Sequence, residues 1–126
     1  MEIQHHVSIQ TKLTLLWIVV MLNMAFADIL GLYIPGVHEQ VAEFAGDTPV
    51  ANLMLIAAIA HQIPLAMVFL SQILRRHLNK IFNIIAATLT IVYVVGGGSS
   101  LPHYILIASI EVLCLLYIIW LSARWK

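Results

Sequence analysis

Four long apolar runs, at positions 13–34, 50–74, 81–95 and 101–123, fill most of this chain. A helix needs about 20 apolar residues to cross the hydrocarbon of a bilayer, with about 17–25 the usual range. Three of the runs meet that length as they stand. The third is short, and the preceding "HLNK" is expected to add a turn, with the Lys80 ammonium reaching toward the interface. Packing these runs into a soluble domain fails on surface area. Of the 126 residues, 62% are hydrophobic and 10% charged, and a domain of this size has too much surface for its volume to hide that much apolar material. The expected fold is therefore all-α: an integral membrane four-helix bundle, with residues 1–126 forming a single four-span domain.

The breaks between the runs are chemically distinct. Pro35-Gly36 stops the first helix, and the loop that follows, "IPGVHEQVAEFAGDTPV", places Val37, Val41 and Phe44 at helical spacing. A short helix lying in the membrane interface is expected there. "RRHLNK" joins the second and third runs, and "GGGSSLPH" the third and fourth, with Pro102 opening the last helix. The first run is too long for a signal peptide and no small-residue cleavage site follows it, so it is expected to remain as a span.

The charges then set an orientation. Lys12, Arg75, Arg76, Lys80, Arg124 and Lys126, all six cations of the chain, fall on one side of a four-span topology. The long loop on the other side holds Glu39, Glu43 and Asp47 and no lysine or arginine. Because loops rich in lysine and arginine stay in the cytoplasm, both termini are expected to be cytoplasmic. Trp17, Tyr33, Tyr104, Trp120 and Trp125 lie toward span ends, where interfacial aromatics are expected. A net charge of zero offers no basic surface to nucleic acid. The one cysteine, Cys114, excludes an internal disulfide, a CxxC pair and a cysteine-built zinc site.

Within the spans, Asp28, His61 and Glu111 are the strongly ionisable groups. Counting from span midpoints puts His61 and Glu111 at one depth near the bilayer centre, with Asn23 beside them and Asp28 about 7 Å nearer the outer side. Helical periodicity gives each span a stripe of small and polar residues. These are Asn23, Ala27 and Gly31 on the first, and Ala57, Ala58, His61, Leu65 and Gln72 on the second. The third carries Asn83, Ala86, Ala87, Thr90 and Tyr93, and the fourth Tyr104, Ala108, Glu111, Cys114 and Ser122. Facing these stripes inward makes a bundle with His61 and Glu111 paired on its axis. Interhelical polar contacts contribute only about 0.6 kcal/mol on average, whereas one central ionisable residue costs at least about 2.5–3.5 kcal/mol. Helix adhesion alone is thus a weak reason for the pair. Pro64, one turn beyond His61, frees a backbone carbonyl there. Gln62 and Asn52 fall away from the His61 face and are expected to serve a neighbouring subunit.

Several familiar constellations are missing. No HExxH or paired ExxH sequence supports a zinc or di-iron site, and His61 lacks a second histidine at matched depth for haem within one chain, so no metal or cofactor is expected. "GGGSS" lacks the lysine of a phosphate loop.

The stretches "LWIVVMLNMAFADILGLYIPG" and "IEVLCLLYIIWLSARWK", which contain Asn23, Asp28, Pro35-Gly36, Glu111 and Trp120, resemble an uncharacterised bacterial family of small four-span membrane proteins. The likeness covers most of the chain. It implies a bacterial inner-membrane location and the four-span topology, and it transfers no activity. Small multidrug transporters are similar in size and span number, but they carry their essential glutamate in the first span, where this chain has Asp28.

The residues lead to the expectation of a small proton-coupled transporter or channel subunit, working in the bilayer as a homo-oligomer on an ion or small molecule. Glu111 would carry the proton, His61 would relay it and Asp28 would form the outer entry, with Asn23 beside them and Gln72, Tyr93 and Tyr104 lining the path. The alternatives are a membrane-embedded enzyme or a protein binding a cofactor, lipid or quinone, which would use the same groups as acid and base, and a non-catalytic subunit of a larger complex.

Overall fold

The computed structural model describes residues 6–126. Five helices follow one another: α1 (Ile9–Gly31), α2 (Val37–Ala45), α3 (Val50–Ile73), α4 (Arg76–Gly96) and α5 (Pro102–Arg124). Four of them, α1, α3, α4 and α5, are long and apolar enough to cross a membrane. At 21–24 residues each they reach about 32–36 Å, which matches a hydrocarbon core of about 30 Å. As the "HLNK" turn implied, α4 begins at Arg76, ahead of its apolar run.

The helix ends follow from local chemistry. Ser8 caps α1, its hydroxyl accepting from the Thr11 amide at 3.2 Å. After Gly31 the chain turns through Gly36, whose φ of 80° is the left-handed conformation open to glycine, and enters α2. None of α2 is buried and its Phe44 is exposed, consistent with a helix that meets lipid headgroups with one side. Between α3 and α4 the chain turns within two residues. The Asn79 amide makes this possible by donating to the α3 end carbonyls of Ser71 (2.8 Å) and Leu74 (3.3 Å). Pro102 opens α5, where its missing N–H costs nothing.

Each spanning helix packs on two others, in the cyclic order α1, α3, α4, α5 and back to α1. Side-chain bonds fix the antiparallel pairing at both ends. At one end Gln72 donates to Thr14 (3.0 Å) and Lys80 to the carbonyl of Trp125 (2.9 Å). At the other, the Tyr104 hydroxyl donates to the Val94 carbonyl (2.7 Å). The first end collects the cations and is called the basic end below; α2 lies at the other.

The core combines bulky side chains of α1 and α5 (Leu13, Trp17, Val20, Leu115, Ile118) with the small Ala86 and Ala87 of α4. The inward stripe of α4 matches the sequence reading, since Asn83, Ala86, Ala87 and Thr90 are buried. On α5 Glu111 and Ser122 are buried as expected, but Tyr104, Ala108 and Cys114 are half-buried and Ile107, Leu115, Ile118 and Leu121 complete the buried line. Two further expectations are corrected. On α3 the buried line is Pro64, Met67 and Ser71, while Ala58, Leu65 and Gln72 face outward. A helix repeats every 3.6 residues, so a line built from steps of four drifts off the face, whereas steps of three and four in alternation hold it. Trp17, placed at the interface from its position near a span end, is fully buried, and its indole donates to Asn83 Oδ1 at 2.7 Å.

That indole belongs to a closed polar network spanning α1, α3 and α4. Asn83 Oδ1 also accepts from Ser71 (3.3 Å), and the Asn83 amide donates to Asn79 Oδ1 (2.6 Å) and to the Asn79 carbonyl (2.8 Å). With Asn79 anchored in turn on α3, the buried side-chain amides and the indole N–H all have partners, which is the condition for such a network to stabilise a core.

Candidate functional site

Near the α2 end, a small pocket opens between the four spanning helices. Its polar wall is Asp28 from α1, His61 from α3, Tyr93 from α4, and Tyr104 and Glu111 from α5; Met24, Ala27 and Val94 complete it. Its volume is about 30 Å³, close to the share of one molecule in liquid water.

His61 is held by two contacts. Its Nδ1 lies 2.8 Å from the Ala57 carbonyl, one turn back on α3, and its Nε2 lies 3.1 Å from Asp28 Oδ2. The Tyr93 ring meets the imidazole edge-on at a centroid distance of 5.6 Å. A carbonyl only accepts, so Nδ1 carries a hydrogen. Nε2 then faces a carboxyl oxygen, and two lone pairs cannot face each other there. One proton must therefore sit between Nε2 and Oδ2, on either atom.

The expected pairing of His61 with Glu111 is thus replaced by His61 with Asp28. Side-chain direction explains the change. Side chains lean toward the N-terminus of their own helix. In antiparallel neighbours, Asp28 leans down from the α2 end and His61 leans up toward it, which closes the depth difference expected from counting residues. Glu111 shares the pocket but is not bonded to His61. It is buried, and its Oε1 has no hydrogen-bond partner.

The other candidate residues separate. Tyr93 and Tyr104 line the pocket as expected. Asn23 is half-buried on α1 and does not line it. Gln72 is at the basic end, exposed and bonded to Thr14, which in turn donates to the Val68 carbonyl at 3.0 Å.

The pocket is graded in exposure. The Asp28 side chain is 68% exposed and that of His61 21%, while Glu111 is 3% exposed. Below Glu111, toward the basic end, the buried residues of α5 are the apolar Leu115, Ile118 and Leu121, followed by Ser122. With both carboxyls and the imidazole ionised, the pocket carries one net negative charge. In a low-dielectric setting one more proton or one monovalent cation balances it.

The chain belongs to a family of unknown function (DUF6326), whose model matches residues 1–126. No curated protein and no solved structure matches it.

Proposed function

We propose that this protein is a proton-coupled transporter or channel subunit in which the Asp28–His61 pair passes a proton between the α2-end surface and Glu111. The supporting observation is the His61 geometry: an imidazole with Nδ1 committed to the Ala57 carbonyl and Nε2 at 3.1 Å from a largely exposed carboxyl, on the wall of the pocket that holds a buried one. Asp28 meets the surface and shares a proton with His61 Nε2. Because Nδ1 is held on the Ala57 carbonyl, that proton reaches Glu111 through the pocket only when the His61 ring turns its Nε2 from Asp28 toward Glu111. On α5 the apolar Leu115 and Ile118 separate Glu111 from the basic end, while the buried Asn83, Ser71 and Asn79 on α3 and α4 are tied up in their own hydrogen bonds. Passage across the whole membrane therefore requires a rearrangement of the bundle.

Cavity size favours this over the reading as an enzyme or cofactor binder. About 30 Å³ is far below the roughly 300–1,000 Å³ of a small-molecule site, which favours a proton or small ion over a quinone ring or lipid head. A larger substrate would be handled between copies of the chain, where the outward face of α3, with Asn52 and Gln62, is free for a neighbour. The setting proposed is a bacterial inner membrane with the basic end in the cytoplasm.

The test is reconstitution of the full chain into liposomes containing a pH-sensitive dye. An imposed potential is expected to drive proton uptake in the parent protein and not in the Glu111→Gln variant. Equal rates in protein-containing and empty liposomes would remove the channel reading and leave only proton movement coupled to a carried substrate.

A further inference from the structure

The basic end carries a second, much larger concavity. An open groove of about 720 Å³ runs between the first turns of α4 and the last turn of α5, lined by Arg76, His77, Lys80, Arg124, Trp125 and Lys126. The positive-inside rule accounts for cations at this end of the bundle. It does not account for their convergence on one concave surface, where four like charges repel one another. Among the described residues no carboxylate lies within ion-pair distance of them, the one such pair in the bundle being His61–Asp28. The groove walls are partly fixed: Lys80 is held at 2.9 Å on the Trp125 carbonyl, and the Arg124 guanidinium sits 5.3 Å from the centre of the Trp120 ring, which stacks on Tyr117. Tryptophans at this level belong to the headgroup zone of a bilayer. Guanidinium groups and ammonium groups there match the oxygens of a phosphate ester.

We infer that this groove is a binding site for a phosphate-bearing anion, the headgroup of an anionic lipid of the surrounding leaflet. Its phosphate would be held between Arg76 and Lys80 on α4 and Arg124 on α5, with its acyl chains along the exposed apolar faces of the two helices. Occupation would tie the α4 start to the α5 end. The site is separate from the pocket at the α2 end and does not depend on its proposed role.

The experiment uses the full chain in detergent, mixed with phosphatidylglycerol or phosphatidylcholine and read by native mass spectrometry. Phosphatidylglycerol should be retained about tenfold more strongly. The single variant Arg76→Gln should lower its affinity about fivefold, and the triple variant Arg76→Gln, Lys80→Gln, Arg124→Gln should abolish the preference. Lys12→Gln, at the same end but outside the groove, should leave it intact. Inorganic phosphate is the second arm: if it binds alone and displaces the lipid, the site serves a free phosphate, and if it does neither, the site is built for a headgroup. Equal retention of both lipids together with no phosphate binding overturns the inference. So does a Lys12→Gln loss as large as that of Arg76→Gln, which would mark a diffuse surface potential. Circular dichroism and melting of Arg76→Gln, whose side chain is exposed, establish that a lost preference is not a lost fold.

Discussion

Asp28 Oδ2 stands 3.1 Å from His61 Nε2 and joins the surface of α1 to the middle of α3. The two residues are 33 positions apart in sequence, and their meeting follows from opposed side-chain lean in antiparallel helices. A double-mutant cycle with Asp28→Asn and His61→Phe should show them coupled, by about 0.5–3 kcal/mol in thermal or denaturant stability in detergent. Strict additivity would mean that the contact contributes nothing.

Asn83 holds the Trp17 indole, the Ser71 hydroxyl and Asn79 together. Asn83→Leu leaves buried donors without acceptors and should destabilise the protein by about 1–3 kcal/mol. Trp17→Phe removes one donor along with its need for a partner. The double variant should therefore lose less than the sum of the two, as measured by unfolding in mixed detergent.

Ala87 is fully buried in the core, and Leu113 is 66% exposed on the outer face of α5. Ala87→Leu should overpack the helix seam and lower stability by about 1–3 kcal/mol. Leu113→Ala should change it by less than about 0.5 kcal/mol. The opposite ranking would invert the assignment of faces.

The four spans and the buried face of α4 were legible in the sequence because apolar length and 3.6-residue periodicity are local properties; on α5 the small and polar stripe and the buried face share only Glu111 and Ser122. On α3 local counting accumulates error: steps of four from His61 point to Leu65, while the inward neighbour is Pro64. The partner of His61 was beyond counting, because it depends on which way two side chains lean and on helix adjacency. The buried position of Trp17 was masked by its span-end location, although Asn83, its acceptor, was already on an inward stripe. The ionisable residues themselves were recognisable from their cost in a membrane; their arrangement required the tertiary structure.

Orientation is tested by accessibility. In a Cys114→Ala background, Ser100→Cys should react with an impermeant thiol reagent added outside intact cells. Lys126→Cys should react only after the membrane is opened. The reverse pattern would place the basic end outside.

The proton path is tested most directly at Glu111 itself. Infrared spectroscopy of the protein in lipid, with Glu111→Gln to assign the band, follows hydrogen–deuterium exchange at this carboxyl. If protons reach it through Asp28 and His61, exchange in the parent protein is complete within the mixing time, and Asp28→Asn and His61→Phe each slow it at least about tenfold while the helices stay folded. Exchange at the parent rate in both variants would contradict the path and leave the Asp28–His61 contact as a structural bond between α1 and α3.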